Sequence, residues 1–295
     1  MQNHQEKKAI ACPNCGKLIS NYLDQCPHCG ITKPARKSQL LKLFGGTNGS
    51  YVKPIITVNV IMFILSYILP FFIPTQVPTG RDIFGILPAP SPVSLNLLGW
   101  SDVRLVLSGQ WWVLITAAFL HGGLIHIFFN MMWVKDLGPQ TEMLFSPHKM
   151  LIIYLLSGVF GNLVAIFTPV LANTIFGLNM RILPVIGASG AIFGLLGALV
   201  AFGKRHGGVI GKQIVSQFGK WALIIIAMGF FFSGVSNAAH IGGFIGGYLL
   251  GRIIPLHNGY KSNQVTIWIA SGMVGLTVFS FALMILRCIR IINGI

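Results

Sequence analysis

The sequence predicts an all-α polytopic membrane protein that carries a small zinc ribbon at its N-terminus. Three observations predict it. Of 295 residues, 54% are hydrophobic and only 9% are charged, against roughly a quarter charged in soluble domains. Lysine plus arginine outnumber aspartate plus glutamate by 21 to 6 and the mean hydropathy is +0.73, so the excess charge must sit in short segments beside a lipid-facing mass. Four of the 5 cysteines fall at the very start of the chain, in two Cys-x-x-Cys pairs.

Those pairs read Cys12-Pro-Asn-Cys15 and Cys26-Pro-His-Cys29, each followed by glycine, Gly16 and Gly30. A tetrahedral metal needs four soft ligands converging on one point, and each Cys-x-x-Cys-Gly turn presents two thiolates. The arrangement resembles a short zinc ribbon, with zinc favoured over iron because rubredoxin-type sites use a longer spacer. Two disulfides are the competing reading and would need an oxidising compartment. His28 sits inside a knuckle but would be a fifth ligand, so it is read as a bystander.

Residues 1–50 lack a continuous apolar run, so no cleavable signal peptide is expected and the ribbon should stay where it is made. Lys7, Lys8, Lys17, Lys33, Arg36, Lys37, Lys42 and Lys53 flank the first apolar segment and favour a cytoplasmic N-terminus. The basic stretch from Lys33 to Lys53 ends in Gly45-Gly46-Thr47-Asn48-Gly49-Ser50, a hinge-like composition. Contact with anionic lipid headgroups explains its charge better than nucleic acid, which is not expected as a partner.

Apolar segments long enough to cross a bilayer are expected near 54–74, 111–134, 150–170, 186–203, 214–234, 237–255 and 265–287. The fifth is the weakest, since Lys220 interrupts it. With the N-terminus inside, the connection holding Lys204, Arg205, Lys212 and Lys220 is also inside, in accord with the positive-inside rule. Arg287 and Arg290 are discordant, because seven spans put that basic tail outside. The long first connection, 75–110, is rich in proline and glycine and carries Arg81-Asp82, which suits a structured outer loop.

No acidic side chain follows Glu142. Chemistry in the second half therefore works without carboxylates, which excludes paired-carboxylate hydrolysis there and disfavours ion-coupled transport. The polar residues that remain inside spans fall in three clusters. The first is His121 to Asn130, where His126 and Asn130 are four apart and share a helical face. A zinc-protease reading fails, since His121 and His126 are five apart with no glutamate between. The second is Gly187-Ala188-Ser189-Gly190, and the third is Ala239-His240-Ile241-Gly242-Gly243. Taken singly, each cluster also suits helix packing. Gly243, Gly247 and Gly251 share the face of His240, and Gly190, Gly194 and Ala198 form a matching small-residue stripe. Close packing of the two stripes would bring Ser189 and His240 together near the outer face, where a neutral histidine beside a serine is a general base.

These residues together, Gly187-x-Ser189-Gly190, Ala239-His240-Ile241-Gly242-Gly243 and His126-x-x-x-Asn130, resemble the rhomboid intramembrane serine proteases over roughly residues 55–255. The resemblance implies a six-helix core to which the ribbon and a seventh helix are added. It implies Ser189 as nucleophile and His240 as base. The Ser189 backbone N–H, His126 and Asn130 would form the oxyanion site, and no cofactor would be needed for catalysis. His121 matches another histidine often found in that family's second span. Gly109-Gln110-Trp111-Trp112 matches the entry to that span, although Val113 replaces the usual arginine. Phe193 stands where some members have tyrosine, and Ser236-Asn237 replaces Asp-Asn. None of these departures removes a catalytic residue.

The expected organisation is a zinc ribbon over 1–35, a basic linker over 36–53, a protease core over 54–255 and a seventh helix and tail over 256–295. The expected activity is cleavage of single-pass transmembrane proteins near the outer face, from a bacterial inner (plasma) membrane with the lipid bilayer as the other partner. A catalytically inactive rhomboid-like binding protein or chaperone is the alternative, and a transporter the third reading.

Overall fold

The structure, a computed structural model, describes residues 9–12, 17–34, 50–73, 80–81, 87–232, 234–256 and 263–294. Near the N-terminus, β1 (Ala9–Ala11) pairs antiparallel with β2 (Leu18–Ser20), Ile10 opposite Ile19. Cys12, Ile19 and Cys26 are buried together against Ile10, Leu23 and Ile31. That core is too small to hold a fold of this size by hydrophobic burial alone.

Among the described residues seven long helices follow: α1 (Val52–Ile68), then, after the short elements below, α5 (Leu124–Phe145), α6 (Pro147–Phe176), α7 (Ser189–His206), α8 (Gly208–Gly229), α9 (Asn237–Ile253) and α10 (Gln264–Ile292). Six of them overlie expected apolar segments with shifted ends, while α5 overlaps only the later part of 111–134 and runs on to Phe145. Among the described residues, four regions are long and apolar enough to cross a bilayer unaided, namely Val52–Phe72, α6, α8 and α10, and a bent pair ending in α5 makes up to five. Helix α9 has only 17 residues, and α7 has 18 of which the last three are Lys204, Arg205 and His206. Helix α7 is central: every residue from Gly190 to Gly203 is buried. A helix wrapped by its neighbours needs neither lipid-matched length nor an apolar rim.

The second expected span, 111–134, is not one helix. It begins as α4 (Val113–Thr116) with a 3₁₀ turn at Ala117–Phe119, breaks at 120–123, and resumes as α5 bent by 94°. Gly122 and Gly123 supply the break. His126 and Asn130 consequently sit in the first two turns of α5, at the level where α7 begins.

The described part of the first connection, 80–81 and 87–110, is structured. The pair β3 (Gly80–Arg81) and β4 (Pro88–Ala89) precedes α2 (Pro92–Leu97), N-capped by the Ser91 hydroxyl, and α3 (Val103–Leu107), N-capped by Asp102. The Asp82 half of the expected Arg81-Asp82 pair lies outside the described residues. Asp102 accepts from Arg104 N at 2.8 Å and pairs with the Arg104 guanidinium at 2.8 Å, which holds its carboxyl below the usual carboxylate range. The discordant Arg287 finds partners here too. Its guanidinium donates to the Asn96 side-chain oxygen at 2.8 Å, so α10 ends beside the first connection.

Candidate active site

Ser189 is the first residue of α7, and the preceding loop is pinned at two places. Ser101 and Val185 exchange both backbone hydrogen bonds, at 2.9 and 2.8 Å, and Gly187 N–H donates to Ala117 O at 2.9 Å. Gly187 has φ +120°, a conformation that disfavours side chains, and a methyl placed on it would lie 2.9 Å from Nε2 of His126. The His126 ring edge thus faces the turn that delivers Ser189. Helix α7 has no side-chain N-cap, so its first backbone N–H groups are available as donors beside Ser189.

His240 lies in the first turn of α9 and is 5% exposed. What brings α9 to α7 is the loss of side chains: any substituent on Gly243 would collide with the Gly190 carbonyl, and one on Gly247 with the Gly194 carbonyl. Only glycine at 243 permits backbone-to-backbone approach here. Helix α6 completes the junction through Gly161, whose added methyl would lie 2.7 Å from Ala239 O and 3.4 Å from Gly190 Cα. The pattern Gly158-x-x-Gly161 on α6 went unremarked in the sequence, although the small-residue rule applied to α7 and α9 finds it equally well.

The His240 ring is stacked on Phe193, with centroids 4.2 Å apart and planes 9° from parallel. Ser189 and Phe193 are four residues apart on α7 and share a face. Packing therefore sets the histidine ring one turn from the serine, on the same side of the same helix. No hydrogen bond joins Ser189 to His240, and His240 Nδ1 is buried without a partner among the described residues.

His126 Nδ1 accepts a hydrogen bond from Gly122 N–H at 3.2 Å, so the ring proton of neutral His126 belongs on Nε2, the edge that faces Gly187. Asn130 is buried and donates one amide hydrogen to His126 O at 2.8 Å, leaving a second hydrogen free to donate. His121 lies in the break before α5, fully buried, 5.0 Å from the His126 ring in an edge-on contact. The anticipated residues Ser189, His240, His126 and Asn130 thus gather at one end of the bundle, around the start of α7.

In the ribbon, Cys12, Cys26 and Cys29 bring their sulfurs within 4.8 Å of one another, with Cys12 and Cys29 3.6 Å apart. Four thiolates around a metal with bonds of about 2.3 Å stand about 3.8 Å apart, whereas a disulfide is about 2.05 Å. The spacing fits metal ligands. Cys26 N–H donates to Ile31 O and Gly30 N–H to Cys26 O, both at 2.9 Å, which folds the second knuckle around its thiols. Cys15, the expected fourth ligand, lies outside the described residues.

The Rhomboid domain, as a family, matches residues 108–257, just over half of the 295 residues. The rhomboid protease GluP of Bacillus subtilis (strain 168) is 35% identical over 170 residues, 55% of this chain and 30% of that protein. RHOMBOID-like protein 5 of Arabidopsis thaliana is 31% identical over 176 residues, 59% of this chain and 54% of that protein. Inactive RHOMBOID-like protein 8 of the same plant is 33% identical over 162 residues, 53% of this chain and 42% of that protein. The chain thus spans about half or less of the length of these relatives.

Proposed function

Because this chain belongs to the rhomboid family of integral membrane proteins, we propose that it is an intramembrane serine endopeptidase working through a Ser189–His240 dyad. The observation that carries the reading is the stacking of His240 on Phe193, one turn below Ser189 on the same face of α7. A third residue to orient the base is unnecessary when a fixed ring does it.

In the proposed reaction His240 takes the Ser189 proton as Oγ attacks the scissile carbonyl, and the C–N bond breaks as the histidine returns that proton to the leaving amine. Water then attacks the acyl-enzyme, giving up its proton to His240, and the freed acid leaves with Ser189 restored. The carbonyl oxygen becomes negative in a low-dielectric site, where Nε2–H of His126, the second amide hydrogen of Asn130 and the backbone N–H of Ser189 supply donors.

The substrates are single-pass transmembrane proteins cut near the outer face, with the chain in a bacterial inner (plasma) membrane and its N-terminus cytoplasmic. Residues 1–35 form a ribbon in which Cys12, Cys15, Cys26 and Cys29 bind one structural zinc. The linker over 36–53 joins it to the protease core over 54–255, and the seventh helix and tail follow over 256–295. Incubating the protein in bilayers with a single-pass reporter and mapping the new termini tests the reaction. Cleavage at the cytoplasmic boundary would reverse the topology.

The alternative is an inactive rhomboid-like membrane binding protein or chaperone, which the missing Ser189–His240 hydrogen bond favours. Catalytic hydrogen bonds are often loose until substrate binds, so that gap weighs less than the gathering of all four residues.

A further inference from the structure

We propose that Arg287, on the seventh helix, is a positioning residue for Ser189, so that this added helix is a working part of the protease; the inference rests on the dyad reading above. Arg287 is half-buried in the last turns of a mostly apolar helix, whereas the neighbouring Arg290 is exposed. Its Nη1 donates to the Asn96 carbonyl at 2.5 Å, and its Nη2 to the Asn96 side-chain oxygen at 2.8 Å. These partners close the C-terminal end of α2, where the Asn96 carbonyl also accepts from Gly99 N–H at 3.0 Å. A forked guanidinium gripping a backbone and a side-chain oxygen of one residue fixes both position and orientation.

From that clamp a short series of buried bonds leads to the nucleophile. Gly99, three residues beyond Asn96, has its carbonyl bonded by the Thr116 hydroxyl at 2.8 Å. Ser101 pairs with Val185 through both backbone bonds, and Ala117, next to Thr116, accepts from Gly187 N–H at 2.9 Å. Val185 and Gly187 are the residues that feed the chain into Ser189. Helix α10 supports the same elements along its length: Phe281 meets Phe119 edge-on at 5.4 Å, and Met284, buried, lies beside Gly99 and Thr116.

The test uses the full chain in bilayers, comparing wild type with Arg287→Ala, Arg287→Lys and the exposed control Arg290→Ala. The rate of Ser189 labelling by a fluorophosphonate per folded molecule is measured with kcat and KM on a single-pass reporter. Arg287→Ala should lose about ten- to a hundredfold in labelling rate and kcat with KM little changed, as expected of small misplacement. Arg287→Lys should recover part of the loss, since one ammonium does not reproduce a fork. Arg290→Ala should match wild type. Labelling of folded Arg287→Ala at the wild-type rate would overturn the inference and leave the dyad standing. If Arg287→Ala does not fold, Asn96→Ala, which removes one acceptor, should show a smaller loss in the same direction, and a wild-type rate there overturns the proposal equally. A wild type that resists labelling defeats the dyad instead. Backbone exchange at 99–101 and 185–187 then decides the clamp, faster exchange in the variant upholding it and equal exchange overturning it.

Discussion

Phe193 lies flat against His240, ring centroids 4.2 Å apart and planes 9° from parallel, and this contact sets the orientation of the proposed base. Stacked aromatic pairs contribute about 0.5–1.5 kcal/mol beyond their buried area. Phe193→Ala should therefore lower turnover at least tenfold in a protein that still folds, while Phe193→Tyr should keep most of it. Turnover of Phe193→Ala equal to wild type would mean that something other than the stack holds the ring.

Glycines on α9 and α10 should respond oppositely to the same change. Gly243 has the Gly190 carbonyl where a methyl would go, and backbone does not give way, so Gly243→Ala should separate the helices, lower thermal stability and abolish cleavage. Gly275, on the outer part of α10, has nothing within 4 Å of an added methyl. Gly275→Ala should leave activity unchanged and stabilise by about 0.5–1 kcal/mol through helix propensity. Melting curves of the two variants in one detergent check the contrast.

The ribbon should depend on metal and the helical core should not. One zinc per chain is expected on residues 1–35, and a strong chelator should unfold them, because the cluster of Cys12, Ile19 and Cys26 buried among the described residues is too small to offset the entropy of ordering that segment. Metal analysis of the full chain, followed by circular dichroism after chelation, reads both. Retained ribbon structure without metal, or loss of core helicity, would contradict it.

His126 and Asn130 should matter to turnover more than to binding. Losing one oxyanion donor costs about 10²–10³ in rate. His126→Ala and Asn130→Ala should each lower kcat by that order with KM within a fewfold. Asn130→Ala also removes a bond to the His126 carbonyl, so its thermal stability has to be followed in parallel. Unchanged kcat in both variants would make these residues packing polar groups.

Much of this was legible in the sequence, and what was not has physical causes. Small-residue spacing places Ser189 beside His240, and helical period puts His126 and Asn130 on one face, because a helix maps spacing onto faces; joining the two pairs rested on the resemblance to the rhomboid proteases. The break at 120–123 was not foreseen, since apolar residues flank it on both sides and only His121-Gly122-Gly123 marks it. Hydropathy finds α7 at 186–203 but not that it is wrapped by protein rather than lipid, which a one-dimensional profile does not register. Arg287 looked like a misplaced tail charge. Its partner Asn96 is 191 residues away, and no local pattern reports a contact at that distance.

Labelling with a mechanism-based fluorophosphonate in bilayers tests the central claim most directly, since only a serine activated by a neighbouring base reacts at an appreciable rate. Wild type should be modified at Ser189 and nowhere else. Ser189→Ala and His240→Ala should both fold and both escape labelling, and the double variant should be no less active than either, because the two residues act as one unit. A folded wild type that stays unmodified in detergent and in bilayers, or a His240→Ala variant labelled as fast as wild type, would contradict the dyad.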